Sequence, residues 1–194
     1  QEQPEIYRRT YRVLQAKDYV AFRLTGVYAT DYSDASGTNL FDLDARRWSE
    51  EIMGALELPP AILPPALPSA TIIGGVTREA AEATGLLTGT PVVIGGGDGA
   101  CATAGAGVVR PEDAYLYLGS SSWISFVSHE PLYDPLQRTF TFAHLDPAYL
   151  FPTGTMQCAG GAYDWLERLL RGAGEDKLYA PLEEQAGAVE PGPR

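Results

Sequence analysis

Between Val108 and Asp113 the stretch "VRPED" ends one residue pattern and begins another. Upstream, apolar residues recur at helical spacing and alternate with short strand-like runs. Downstream, they alternate in period 2 before a closing helix. Such a chain must fold as a mixed α/β segment followed by a strand-rich one, and we divide it into residues 1–109 and 110–194. In the first part, "PEIYRRTYRVLQAKDYVAFRLTG" reads as helix stopped by Gly26, with Arg8, Arg9, Arg12 and Lys17 on a solvated basic face. Asp31, Ser33 and Asp34 are candidate N-caps, and Trp48 to Leu58 reads as a second amphipathic helix. "PPAILPPALPS" is a rigid proline-rich connector, and "REAAEATG" a short helix ended by Gly85. Past the boundary, "DAYLYLGSSSWISFVS" reads as a β-hairpin, "RTFTFAHL" and "AYLFPTG" as strands, and "MQCAGGAYDWLERLLRG" as a helix.

Composition removes several classes of function. The chain is 194 residues long and 45% hydrophobic, enough for a sizeable core. No apolar run approaches the roughly 18 residues of a membrane helix. Gln1 to Thr10 is polar and charged, unlike a signal peptide, so a soluble cytoplasmic protein without a membrane partner is the expectation. A formal net charge of -11 and the lack of any Lys/Arg run argue against nucleic acid as partner. A small anion remains compatible, because backbone N–H groups and helix N-termini hold phosphate without many cations. Cys101 and Cys158 sit among small or apolar residues and read as buried free thiols. His129 and His144 lack the spacing of metal ligands, so no protein metal site is expected.

Three stretches could carry chemistry. In "PVVIGGGDGACATAGAG", residues 91–107, a buried strand and a glycine turn lead to Asp98, a lone carboxylate before a possible helix. "GGGDGA" fits the dinucleotide fingerprint formally, but an acid in that turn would repel a pyrophosphate. About 20 positions on, where the fingerprint needs an acid for the ribose, stand Leu118 and Gly119. Two readings of Asp98 remain: a cap on the helix beginning near Gly99, or a general base reaching a substrate hydroxyl between glycines that leave room for it. In "LGSSSW", the turn Gly119-Ser120-Ser121-Ser122 offers backbone N–H groups and hydroxyls to phosphate oxygens, or is a plain solvated turn. In "CAGGAYDWL", Gly160 and Gly161 mark either a close packing contact or a ligand lying at a helix start.

Together, "KDYVAFRLTG", "ATDYSDASGTNLFD", "TGLLTGTPVVIGGGDGACATAGAG", "YLGSSSW" and "GTMQCAGGAYDWL" resemble, in order, the FGGY family of carbohydrate kinases, most closely its xylulokinase-like branch. The resemblance implies an α/β fold of two ribonuclease-H-like domains of the actin-like ATPase superfamily, closing on a cleft for sugar and ATP and only partly present in this chain. Residues 1–109 would be the C-terminal part of the sugar-side domain, and 110–194 the N-terminal part of the nucleotide-side domain. It implies ATP and Mg²⁺ as cofactors and a sugar, such as the ketopentose D-xylulose, as substrate. Asp98 matches the family's catalytic aspartate, with Gly99 beside it at the substrate. Gly119, Ser120 and Ser121 match the Gly-Thr-Ser-type turn that cradles nucleotide phosphates, and Gly160 and Asp164 fall at a nucleotide-contacting helix start. Ser120 stands where the family usually has Thr, and Asp164 replaces a more usual polar residue. The Asp-x-Gly-Thr phosphate loop is absent, "DASGT" having the wrong spacing for it, so the isolated chain is expected to be inactive. A kinase for ribulose, glycerol or gluconate, a non-catalytic actin-like binding module, and an assembly role are the alternatives. A homodimer is compatible with the sequence.

Overall fold

Thr10 ends the first helix well before Gly26, because the backbone turns extended there (ψ 118°) and Val13 donates its N–H to the Ile62 carbonyl at 2.9 Å. The single helix expected over residues 4–25 is therefore two, α1 (Pro4–Arg9) and α2 (Ala16–Thr25). α2 restarts where Asp18 accepts the Gln15 N–H, and it stops at Gly26, whose φ of 75° gives the left-handed C-cap read from sequence. The computed structural model describes residues 2–172, 176–190 and 192.

Short elements follow: β1 (Thr30–Asp31), α3 (Tyr32–Ser36), β2 (Phe41–Asp42), β3 (Arg47–Trp48) and α4 (Glu50–Ala55). The helix expected from Trp48 to Leu58 is shortened at both ends. Trp48 pairs with Phe41 in β3 and donates its indole N–H to the Pro64 carbonyl at 2.7 Å, while Ser49 caps the helix through the Ile52 N–H. The proline-rich connector makes a 3₁₀ turn at Pro60–Ile62 and then β4 (Ala66–Leu67), which runs parallel to β1. β5 (Ile72–Gly75) pairs antiparallel with β6 (Pro91–Val93), on either side of α5 (Arg78–Thr84), which ends at Gly85 as expected. α6 (Asp98–Gly105) comes next, then β7 (Ala114–Leu118), β8 (Ser122–Phe126), β9 (Thr139–Ala143), β10 (Leu150–Met156), α7 (Gly160–Leu170) and α8 (Tyr179–Gly187). The four later strands form one sheet in the order β7-β8-β10-β9.

The chain divides into two compact units. One comprises Gln1–Tyr115 with Ser125–Thr153; the other comprises Leu116–Ile124 with Gly154–Arg194. In the first, Ala21, Ala29 and Ile94 are buried together with Leu67 and Ile73 packed on them. The small side chain of Ala21 lets α2 lie close to the β5–β6 pair. β6 is not the buried strand expected. Pro91 and Val93 are exposed, because among the described residues β6 pairs with β5 alone and only Ile94 reaches the core. His144 is buried and structural. Its Nδ1 accepts the Asp146 N–H, which leaves the proton on Nε2 for the Val108 carbonyl at 3.3 Å. In the second unit, Tyr117 stacks on Trp123, and Glu167 is buried against Arg171 and the Leu178 N–H.

Both cysteines are free, but exposed rather than buried. On α6 the inward residues are Ala100 and Thr103, three apart, so Cys101 faces away from them. Among the described residues no helix is long and apolar enough to cross a membrane, and no cluster of three His, Cys, Asp or Glu forms a metal cage.

Candidate active site

Asp98 is the first residue of α6, not its cap; the N-cap is Gly97, and no side chain caps this helix. The Asp98 carboxylate is exposed, and one of its oxygens accepts the N–H of Gly99 at 2.7 Å. It borders a cavity of about 190 Å³ whose wall includes Ser33, Asp34, Gly97, Gly99, Phe142 and Phe151. The floor of α6 is fixed by Thr103, fully buried, whose hydroxyl bonds the Gly99 carbonyl at 2.7 Å.

The glycines before Asp98 serve different ends. A Cβ at Gly97 would stand 2.6 Å from Asp34 Oδ1, and one at Gly96 would run into Leu145. Gly97 lets the turn lie against α3, and Gly96 lets it pass Leu145. At Gly99 a Cβ would meet nothing within 4 Å, so that residue borders open space. A Cβ at Gly95, whose φ is 73°, would also meet nothing within 4 Å, but Gly99 is the glycine with open space directly beside the acid.

Beneath the turn lies a network that sequence reasoning missed. Lys17 Nζ, expected on a solvated face, is 2.6 Å from Asp18, 2.9 Å from Asp31 and 3.2 Å from Asp34. Asp31 caps α3 and is fully buried; its Oδ2 accepts the hydroxyls of Ser33 at 2.5 Å and Ser69 at 2.6 Å. Burial pushes the Asp31 carboxyl up, yet the hydroxyls of Ser33 and Ser69 and the ammonium of Lys17 outweigh it and hold its pKa below the ordinary value. For Asp34 burial prevails over Lys17 and the pKa ends raised. The signal available in the sequence was "TDYSD", two acids three residues apart at a helix start with no base beside them. Lys17 gave no such signal, because a charged residue on a short helix is usually solvated.

The second unit gathers the other candidates. Gly119 to Ser121 form the β7–β8 turn, closed by the Gly119 N–H on the Ser121 carbonyl at 2.9 Å. The start of α7 lies directly on it: Gly160 donates to the Gly119 carbonyl at 2.9 Å, and Ala159 and Gly161 donate to that of Ser120. A Cβ at Gly160 would come within 2.5 Å of the Gly119 oxygen. Of the two readings of this glycine pair, close packing holds here, against a turn backbone. Gly160→Ala is therefore expected to cost about 1–3 kcal/mol through forced backbone shifts. Thermal unfolding within about 0.5 kcal/mol of the parent would contradict that contact. Ser120 is exposed and Ser121 half-buried, and among the described residues neither hydroxyl has a hydrogen-bond partner. Asp164, one turn along α7, accepts the Tyr179 hydroxyl at 2.6 Å, and this bond first, then burial, raises the Tyr179 pKa.

Similarity to known proteins runs along most of this chain. The profile of the FGGY family of carbohydrate kinases, N-terminal domain, matches residues 1–105. The xylulose kinase of Escherichia coli (strain K12) is 34% identical over 189 residues, 97% of this chain and 39% of that protein. An autoinducer-2 kinase of Escherichia coli (strain ATCC 8739) is 35% identical over 196 residues, 97% of this chain and 37% of that one. The crystal structure of xylulose kinase from Rhodospirillum rubrum superposes with a TM-score of 0.87 at 32% identity, covering 97% of this chain and 38% of that one. The chain thus spans about two-fifths of the length of these relatives.

Proposed function

Because the chain belongs to the FGGY family of carbohydrate kinases and has their mixed α/β, actin-like ATPase fold, we propose that the full-length protein phosphorylates a sugar hydroxyl with ATP. The preferred acceptor is a ketopentose such as D-xylulose. The observation that carries this reading is Asp98: an exposed carboxylate at the first turn of a firmly anchored helix, bordering a cavity, with open space at Gly99.

In this reading one Asp98 oxygen stays on the Gly99 N–H and the other accepts the proton of the sugar hydroxyl, while the hydroxyl oxygen bonds to the γ-phosphorus and the bond from that phosphorus to the β–γ bridging oxygen breaks, releasing ADP. Gly99 admits the sugar against the backbone. Ser120 and Ser121 hold phosphate oxygens, and their two unpartnered hydroxyls are what support that role; Gly119, whose N–H is bonded to the Ser121 carbonyl, shapes the turn. The first N–H groups of α7 are already bonded to the turn, so Gly160 acts by shaping the turn rather than by donating to phosphate. Asp164 approaches the nucleotide while retaining its bond to Tyr179.

Mg²⁺ suits this donor set as a guest of the nucleotide. It usually takes one or two carboxylates plus substrate phosphates rather than a protein cage, and among the described residues no cluster of three His, Cys, Asp or Glu forms such a cage. When bound it would neutralise phosphate charge, which an acidic chain supplies poorly. The residues 1–109 and 110–194 then correspond to the sugar-side and nucleotide-side parts of the kinase.

The test is an ADP-release assay of the full-length protein against ketopentoses, glycerol, gluconate and autoinducer-2. D-xylulose is expected to give a kcat/KM at least about tenfold above glycerol and gluconate, the scale on which one site can discriminate small substrates. Autoinducer-2 belongs in the panel because its kinases match this chain as well as xylulose kinases do. Calorimetric binding of ATP and sugar without any ADP release would favour the non-catalytic module.

A further inference from the structure

The turn that presents Asp98 is clamped from outside its own helix. Gly97, the N-cap of α6, donates its N–H to Ser33 Oγ at 2.8 Å, across 64 residues of sequence. Ser33 is buried, and its hydroxyl proton is committed to Asp31 Oδ2 at 2.5 Å. Toward the turn Ser33 Oγ is therefore an acceptor only, and its direction is fixed by a carboxylate that is itself held by Lys17 and Ser69. The close approach is built in, since Gly96 and Gly97 could carry no Cβ without meeting Leu145 or Asp34.

α6 has Gly at its N-cap and no side-chain cap. The anchor lies instead on the opposite side of the turn, where it sets the position of the residue that follows. From this geometry we infer that Ser33 is a positioning residue for Asp98: it holds the Gly97 N–H against the Lys17–Asp31 ion pair and so sets where the first turn of α6 presents the carboxylate. Ser33 acts through the backbone N–H of Gly97; because it also forms part of the cavity wall, sugar Kd is measured beside kcat to separate positioning from direct contact. The inference rests on the reading of Asp98 as the base, for which a misplacement of about 1 Å costs about a hundredfold in rate.

Ser69 supplies the control. It is buried like Ser33 and its hydroxyl donates to the same Asp31 oxygen, but its side chain makes no bond to the α6 turn; the Gly95 N–H goes to the Ser69 backbone carbonyl at 3.1 Å, which Ser69→Ala retains. In the full-length protein, Ser33→Ala is expected to lower kcat by about 10- to 100-fold. Sugar Kd by calorimetry should stay within about threefold, and amide exchange at Gly97 should accelerate. Ser69→Ala should keep kcat within about threefold. Equal losses in both variants, or a Ser33→Ala kcat within threefold of the parent, would overturn the inference. Should Ser33→Ala not fold, two measurements still decide. The Gly97 amide of the unaltered protein must be protected from exchange, and Ser33→Thr, which keeps the hydroxyl, must keep kcat within about threefold. An unprotected amide or an inactive, folded Ser33→Thr counts against positioning. If Asp98→Asn retains turnover, the reading of the base has failed and this inference goes with it. An inactive Asp98→Asn beside a fully active Ser33→Ala sinks the inference alone.

Discussion

Asp98→Asn in the full-length protein is expected to lower kcat by about 10²–10⁴-fold while sugar Kd moves by no more than a few-fold. Asn keeps the shape of the side chain and an oxygen to accept the Gly99 N–H, which the structure places at 2.7 Å. What it loses is the ability to take a proton. The site is exposed, so folding should be left within about 0.5 kcal/mol of the parent. The same substitution separates the two readings that the sequence left open. Asn and Asp are about equal as N-caps, so a merely capping Asp98 would tolerate the change with turnover intact. Since the cap position is Gly97, the capping reading has already lost its geometric basis. Steady-state ADP release together with calorimetry of the sugar measures both quantities. A kcat within tenfold of the parent would remove Asp98 from the chemistry.

Local signals were legible wherever local chemistry decides. Gly26 and Gly85 stop helices because each takes a positive φ, 75° and 79°, that other residues adopt at a cost. The hairpin around Gly119 to Ser121 and the strands at Thr139–Ala143 and Leu150–Met156 follow from period-2 alternation. Errors arose where a distant partner overrides the local pattern. Val13 leaves the helical path to bond Ile62, and Trp48 leaves α4 to pair with Phe41 and bond Pro64. The candidate site shows the same division. Asp98 stands out because it is the only charge in a small-residue stretch. Ser33, Asp31 and Lys17 do not, since their roles depend on contacts between segments separated by up to 64 residues. The glycine run reads in sequence as one device for admitting a ligand, but it divides: Gly97 admits α3, Gly96 admits Leu145, and Gly95 and Gly99 meet nothing within 4 Å.

Lys17→Met should destabilise the protein by about 3–5 kcal/mol near neutral pH, because it leaves buried carboxylates with no opposing charge. Lys17 Nζ lies within 4 Å of three acids, of which Asp18 and Asp31 are almost wholly buried. Burial pushes the Lys17 ammonium down, but its bonds to Asp18 and Asp31 and their charges outweigh burial and raise its pKa. Its stabilisation is thus fully present below the ordinary lysine pKa and is lost only as pH rises through the raised folded value. The lowered pKa of Asp31 works from the other side: its share is present above the ordinary carboxylate pKa and fades as pH falls through the lowered value. Asp34, raised by burial, runs against Asp31 and favours the folded state slightly as it protonates. The parent should therefore hold a plateau of stability across neutral pH and weaken in acid. In Lys17→Met the remaining acids lose their counter-charge, so the folded state binds protons more tightly than the unfolded chain and stability falls as pH rises. Urea unfolding at pH 5 and pH 8 reads the sign directly: the variant should be more stable at pH 5 than at pH 8, whereas the parent, still above the ordinary carboxylate pKa at pH 5, should differ little between the two. A loss below about 1 kcal/mol, equal at both pH values, would mean that Lys17 behaves as a surface ion pair. The clamp on the Asp98 turn would then have no buried charge behind it.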